Sequence, residues 1–429
     1  MKSQKAIFNL YNLAWKIILP FLKRSKTFKG SYDLRISADN FKKTNIWIHG
    51  ASGGEAYVAV EILRRMNLKS PLKILYTATT AQGLGTMESF YKSPDFSLNI
   101  DMEITWLPFD KPVIIEKVIL KTRPELMILL ETEIWPGLLY MLKKHGIKTI
   151  IINARLSSKS YAWYRKTKFL WEEISPDIVL ATSDKDAQRY KNIFDRKTRI
   201  SVMPNIKFDA MPSSQSRQNN KTSLASFLPR DIPFSILASI REEEEEHLEY
   251  ILKYLMDNFP DQIIGIFPKH IQRAGHLSEM LDRLLARSGN IRFKWKLRSE
   301  ISSFVNKGTI ILWDTFGELK HAYEYAVTAF VGGSLEPLGG QNFLEPVVCG
   351  TAAVTGPHLN SFKWVDNEIF KSKLVFKAEN RQQAARYMVE KLRSGTDKTM
   401  RRKAAYEYIR KNQGGAAMAV KLINDNLVN

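Results

Sequence analysis

From residue 45 onward, short β-rich runs alternate with segments of helical period, and that alternation restricts the chain to α/β architectures. The first series is NIWIH, LKILYTAT, MEITWLP, ELMILLE, KTIIINA and DIVLATS. After an interruption the pattern resumes with FSILAS, QIIGIFP, GTIILWD, VTAFVGG, AAVTG and KLVFK. Strands joined through helices pair in parallel, with helices on both faces of the sheet. The interruption, residues 211–231 (MPSSQSRQNNKTSLASFLPRD), is polar and Ser/Asn-rich and reads as a linker. The spacing therefore predicts a helix at 1–30, a doubly wound domain at 31–210, a linker at 211–231, a second doubly wound domain at 232–395 and a helical segment at 396–429. Two such halves with a hinge imply a cleft, and open parallel sheets bind ligands at the carboxyl ends of their strands.

Charge narrows the partners. The 429 residues carry 64 basic and 44 acidic side chains, a net charge of +20, which favours nucleic acid, phosphorylated ligands or an anionic membrane surface. No aromatic cluster suited to RNA accompanies the charge, so nucleic acid is not an expected partner. The single cysteine, Cys349, excludes an internal disulfide framework and points to a reducing compartment. The seven histidines show no HxxxH or HxH spacing, so no metal site is expected. The sequence carries no signal for oligomeric state.

At the N-terminus, an apolar run from Ile7 to Leu22 is broken by Lys16 and flanked by basic residues. It is shorter than the roughly 20 residues of a spanning helix. Drawn as a helix, Lys5, Asn9, Asn12, Lys16 and Lys23 fall on one narrow stripe beside a broad apolar surface. Such a helix lies in a membrane interface, spans it at a tilt, or packs on its own domain; the aromatics and basic flanks favour membrane contact. No small-residue cleavage site follows, so a removed signal peptide is not expected.

Candidate chemistry falls at strand ends. HGASGGE places Glu55 at the first turn of a helix after a glycine-rich turn, as a base or as a carboxylate favoured by the helix dipole. ETEIWPG puts Glu131 and Glu133 at the end of an apolar strand, where Arg155 or Lys207 are available partners. FPKHIQR sets Lys269, His270 and Arg273 after a strand of the second half, as a phosphate site or a solvated basic loop. The glutamates 242–246 read as a solvated helix start. In FVGGSLEPLGGQNFLEP a strand enters a glycine-rich loop that lacks both GK[ST] and GxGxxG, and then Asn342 and Glu345 stand at a helix start. A glutamate there suits ribose hydroxyls, and the nearby amides suit a phosphate.

Together these segments resemble the Kdo (3-deoxy-D-manno-octulosonic acid) transferases. These are GT-B glycosyltransferases, with two Rossmann-like domains, which attach Kdo from CMP-Kdo to the lipid A precursor of lipopolysaccharide. The resemblance runs in order through HGASGGE, TATTAQG, LPFD, ETEIWP, NARLSSKS, NIKFD, FPKHIQR, DTFGEL, GGSLEPLGGQNFLEP and GPHLNSF. It implies that Glu55 is the proton acceptor and that Glu131 and Lys207 stabilise the transition state. It also implies that CMP is held by the blocks containing Pro268, Lys269 and Arg273, Phe316, Gly317 and Glu318, and Asn342, Phe343, Leu344 and Glu345. No resident cofactor is implied, CMP-Kdo being the donor substrate. A lipid acceptor implies the cytoplasmic face of the inner membrane.

The chain departs from the family pattern at four places. Gln341 replaces the histidine of Gly-Gly-His-Asn, SIREEEEE (239–246) replaces Ser-Thr-His-x-Gly-Glu-Glu, Lys269 replaces the arginine of Pro-Arg-His, and Gly137 replaces the asparagine after Trp-Pro. Lys269 cannot offer a bidentate fork to phosphate. These changes leave a different nucleotide sugar open as donor, and leave a non-catalytic basic binding protein as the alternative from another class.

Overall fold

Fourteen strands form two all-parallel sheets of seven, in a computed structural model that describes residues 2–67, 70–93, 96, 99–212, 223–288 and 292–427. The first unit holds residues 1–210 and 412–429, the second residues 211–411.

In unit 1 the strands are β1 (Ile46–His49), β2 (Leu72–Ala78), β3 (Ile100–Trp106), β4 (Leu126–Leu130), β5 (Lys148–Ala154), β6 (Ile178–Ala181) and β7 (Arg199–Val202). Their order is β3-β2-β1-β4-β5-β6-β7, so the winding reverses between β1 and β4. Every residue of β1 and β4 is buried, which explains their unbroken apolar character. Helices cover both faces, and two apolar clusters fill the layers, one against β1 through Ile46 and Ile48, the other through Trp47.

In unit 2 the strands are β8 (Phe234–Ile240), β9 (Ile263–Pro268), β10 (Lys294–Leu297), β11 (Thr309–Leu312), β12 (Thr328–Val331), β13 (Ala352–Thr355) and β14 (Val375–Lys377). Their order is β10-β11-β9-β8-β12-β13-β14, and the reversal lies between β8 and β12.

Several boundaries differ from the sequence expectation. The helix Lys2–Arg24 is not a separate element: Phe8 stacks on Tyr140 with ring centroids 3.8 Å apart, and the Tyr11 hydroxyl donates to Asp110 Oδ2 at 2.8 Å. The described ends of the 211–231 stretch are partly structured, because Leu224, Phe227 and Leu228 are buried and Phe227 lies against Trp313 in unit 2. Residues 213–222 lie outside the described set. The C-terminal segment divides: the helix Lys398–Asn412 falls almost wholly within unit 2, and the helix Gly415–Asn424 returns to unit 1. Asp209 of the NIKFD block holds that return, accepting from the amides of Gly414 (2.9 Å) and Ala416 (3.0 Å) at the last helix's start.

The LPFD block works in the same way. Asp110 is buried and accepts from the amides of Gly137 (2.9 Å) and Leu138 (2.7 Å), which open the helix Pro136–Lys144. A Cβ at position 137 would lie 2.2 Å from the Asp110 carbonyl oxygen, so the glycine permits an approach that no other residue allows. Gly137→Ala should therefore destabilise unit 1 by about 1–3 kcal/mol. At about 3 °C per kcal/mol, calorimetry should show its melting temperature lowered by roughly 3–9 °C; an unchanged melting temperature would contradict the packing.

Candidate active site

β1 ends at His49, and a turn through Gly50 leads to the helix Gly53–Leu63 at the reversal point of the first sheet. Ser52 is its N-cap. The Ser52 amide donates to Glu55 Oε2 at 2.9 Å and the Glu55 amide to Ser52 Oγ at 3.5 Å, a reciprocal capping box. Gly50 makes room for this glutamate, since a Cβ there would sit 3.0 Å from that of Glu55. The helix-start reading of Glu55 is therefore correct as structure, and it leaves the carboxylate a second task.

Glu55 is 9% exposed. Burial, then the charge of Glu133, push its carboxyl up to about 7, against the opposing pull of the Ser52 amide; Glu131 adds to the rise and His49 opposes it. A carboxyl titrating near neutrality is a competent proton acceptor at neutral pH.

The two glutamates after β4 have different partners. Glu131, 1% exposed, is clamped by Arg155 Nη2 and Lys207 Nζ, each at 2.6 Å. Its backbone lies in the left-handed region at φ 54°, as does that of Asn153 opposite it at φ 58°, whose Oδ1 accepts from the Ile206 amide at 3.0 Å. Two non-glycine residues in that region mark stored strain beside the candidate site. Glu133 takes neither cation. His49 Nε2 lies 3.1 Å from its Oε2, and the Trp135 indole donates to the same oxygen at 2.9 Å. Burial alone would raise Glu133, but the hydrogen bond and charge of His49 outweigh it and hold the carboxyl below the usual range. His49 Nδ1 lies 2.9 Å from the Thr77 carbonyl, so the ring bridges the end of β2 and Glu133. Sequence reading missed His49; its only sequence signal was a histidine ending a buried strand.

Unit 2 brings a second group of strand-end loops together at its own reversal point. The loop after β12 turns through Gly333, Gly339 and Gly340, all at positive φ. Its successive amides at Gly333, Ser334 and Leu335 donate to Glu244, which is buried. The glutamate run is thus not uniformly solvated, and three amides suited to a phosphate are already occupied by a carboxylate. Asn342 Nδ2 donates to Glu345 Oε1 at 2.8 Å, and burial raises the Glu345 carboxyl while Asn342, Lys320 and Lys269 oppose it. Lys269 is exposed, with no ion pair among the described residues, beside half-buried Pro268.

Four of the expected donor-site residues are engaged within unit 2. Phe343 and Leu344 are wholly buried, with Phe343 against Phe362, so their side chains serve the core. Arg273 is held by Glu245 through Nε (3.0 Å) and Nη2 (2.8 Å), and by Glu242 at 3.3 Å, so it is not an uncommitted cation. Glu318 accepts two bonds from Arg298 (2.8 and 2.9 Å) and one from the Trp313 indole (2.8 Å), which makes it a brace for its loop. Phe316 and Gly317 at the tip of that loop are exposed and remain available.

Residues 25–210 match the family described as 3-deoxy-D-manno-octulosonic-acid transferase (kdotransferase). The 3-deoxy-D-manno-octulosonic acid transferase of Haemophilus influenzae is 28% identical over 389 residues, 89% of this chain and 87% of that one. The transferase of the same name from Bordetella pertussis is 29% identical, over 74% of this chain and 72% of its own. Among solved structures, a glycosyltransferase from Rickettsia africae has a TM-score of 0.55 at 13% identity, covering 91% of this chain and 100% of that one. The UDP-GlcNAc 2-epimerase of Neisseria meningitidis has a TM-score of 0.54 at 12% identity, covering 89% and 99%; both likenesses concern the fold.

Two doubly wound parallel-sheet units of seven strands each make up the GT-B fold. Within that fold, residues 25–210 match the Kdo transferase family model, and most of the chain is similar to Kdo transferases at 28–29% identity.

The electrostatics predict a pH profile. Because Glu55 must be ionised to accept a proton, kcat/KM of the free enzyme should rise with pH through an apparent pKa near 7. Removing the adjacent negative charge by Glu133→Gln should move that pKa downward, and a profile that stays in place would separate Glu55 from the titration.

Proposed function

We propose that this protein is an inverting transferase that moves Kdo from CMP-Kdo to a sugar hydroxyl of the phosphorylated lipid A precursor. The observation that carries the reading is the Glu55 carboxyl, held near neutral pKa at the reversal point of the first sheet. In the proposed step Glu55 takes the proton of the acceptor hydroxyl while that oxygen bonds to the anomeric carbon of Kdo. The bond from that carbon to the CMP oxygen breaks, and CMP leaves as an anion. One displacement inverts the anomeric centre. Lys207 and Arg155, fixed on Glu131, supply positive potential to the acceptor unit. Lys269 and Lys320 supply the charge that a departing phosphate requires in the donor unit.

The N-terminal helix supports a membrane-bound acceptor. Its inner face carries Phe8, Tyr11, Trp15, Leu19 and Leu22 against unit 1. Its outer face leaves Leu10 (68%), Ile17 (66%) and Phe21 (68%) exposed, with Leu13 beside them. Lys16 and Lys23 border that row. No helix among the described residues is long and apolar enough to cross a membrane. The helix is therefore read as lying in the anionic cytoplasmic face of the inner membrane, apolar row in the acyl boundary and lysines at lipid phosphates.

Glu55→Gln preserves the capping box and should keep fold and CMP binding while turnover falls roughly 10²–10⁴-fold. Mass spectrometry of the product from CMP-Kdo and a tetraacylated lipid A precursor tests donor, acceptor and number of units together; product from another nucleotide sugar alone would refute the donor assignment. Replacing Leu10, Ile17 and Phe21 by serine should release the protein from anionic vesicles without lowering its melting temperature. Wild-type flotation of that variant would reject the membrane face.

A further inference from the structure

The helix Pro136–Lys144 begins without a cap of its own. Its N-cap position is Trp135, whose side chain makes no bond to the helix start, and Pro136 has no amide hydrogen to offer. The first available amides, Gly137 and Leu138, are taken by Asp110 at 2.9 and 2.7 Å. Capping from outside leaves Trp135 for another use. Its indole donates to Glu133 Oε2 at 2.9 Å, the same oxygen that lies 3.1 Å from His49 Nε2. Glu133 Oε1 has no hydrogen-bond partner among the described residues, so one oxygen carries the whole hold on the carboxylate whose charge acts on Glu55.

Asp110 is itself held by the N-terminal helix. The Tyr11 hydroxyl donates to Asp110 Oδ2 at 2.8 Å, and Phe8 of the same helix stacks on Tyr140, which shares a face of Pro136–Lys144 with Gly137. One helix thus grips both the start and the next turn of another. Burial pushes the Asp110 carboxyl up to about 7, while the Gly137 amide, the Tyr11 hydroxyl, the Leu138 amide and His49 oppose the rise. Each donor taken away therefore disfavours the charged form, which is the stronger acceptor for the two amides. Among the described residues Tyr11 bonds to neither Glu133 nor Glu55, so its influence on them passes through Asp110.

We infer that Tyr11 is a positioning residue for the transfer step: through Asp110 and the start of Pro136–Lys144 it keeps the Trp135 indole on Glu133, and so fixes the carboxylate that neighbours the base. The inference rests on the reading of Glu55 as that base. It gives the N-terminal helix a task on each face, with the outer row at lipid and the inner face at the site.

Tyr11→Phe in the full chain is the direct test. It removes only the hydroxyl, because the edge-on ring contacts with Phe8 and Trp15, each at 6.3 Å, need none, and the outer row is untouched. With CMP-Kdo and a tetraacylated lipid A precursor, kcat should fall roughly 10–100-fold, the scale of a small misplacement at a reacting centre. KM for both substrates and flotation with anionic vesicles should stay at wild-type values. In a Trp135→Phe background the same substitution should cost no further turnover, because links in series are not additive. In protein isotopically labelled at tryptophan, the Trp135 indole N–H resonance, assigned by its loss in Trp135→Phe, should move in Tyr11→Phe. A moved resonance in a protein whose wild type makes no product would sustain the linkage and overturn the transferase reading. An unmoved resonance with wild-type kcat, even at a lowered melting temperature, would overturn the linkage and leave that reading standing. The same loss of turnover repeated in the Trp135→Phe background would overturn it too, since Tyr11 would then act by another route.

Discussion

A carboxylate removed from water must be neutralised, and the active face of unit 1 is arranged around that requirement at Glu131. Its two cations arrive from different parts of the chain, Arg155 from the end of β5 and Lys207 from the short turn Ile206–Phe208 after β7. The pair ties those two segments to the end of β4. Removing either cation would strand that charge, at a cost of about 3–5 kcal/mol. Once Glu131 has claimed both cations, Glu133 is left with a histidine and an indole, and its negative charge remains effective against Glu55. The unequal division of partners between two neighbouring glutamates thus sets the field at Glu55.

Unit 2 uses buried acid differently. Glu244 has no cation among the described residues; it accepts from three backbone amides of the glycine-rich loop. This fixes the loop after β12 to the helix start after β8, across the reversal point of the sheet. Gly332 is bound into the arrangement, since a Cβ there would lie 2.9 Å from Glu244 Oε2. A phosphate at this loop would have to draw its charge from side chains such as Lys269, because these three amides are occupied.

Twelve of the fourteen strands were legible in the sequence because each has an apolar run that burial requires. The two that were missed, β7 and β10, lie at sheet edges with mostly exposed side chains, so RISV and KWKL carry no such run. The site was legible where a side chain's neighbours follow from its own strand end, as for Glu55. It was illegible where partners are chosen in three dimensions. Nothing in the spacing shows that Arg155 and Lys207 both turn to Glu131, or that His49 serves Glu133. Phe343 and Leu344 stand within a block that resembles a ligand site, and their apolar side chains follow the ordinary rule and fill the core.

The N-terminal helix shows why one sequence reading can be right about composition and incomplete about packing. Interface and self-packing were alternatives for the same apolar run, but a helix of 23 residues has two faces to spend. Phe8, Tyr11 and Trp15 anchor one face through Tyr140, Asp110 and Phe109, and the lysine stripe separates it from the row of Leu10, Ile17 and Phe21. An apolar row left outward on a helix already fixed by an aromatic inner face is not a packing remainder, because a row of large side chains exposed to water gains nothing for the fold. Fixing the inner face also sets the orientation of the outer one, so a membrane that takes up the row meets unit 1 in a defined pose instead of through a flexible tether.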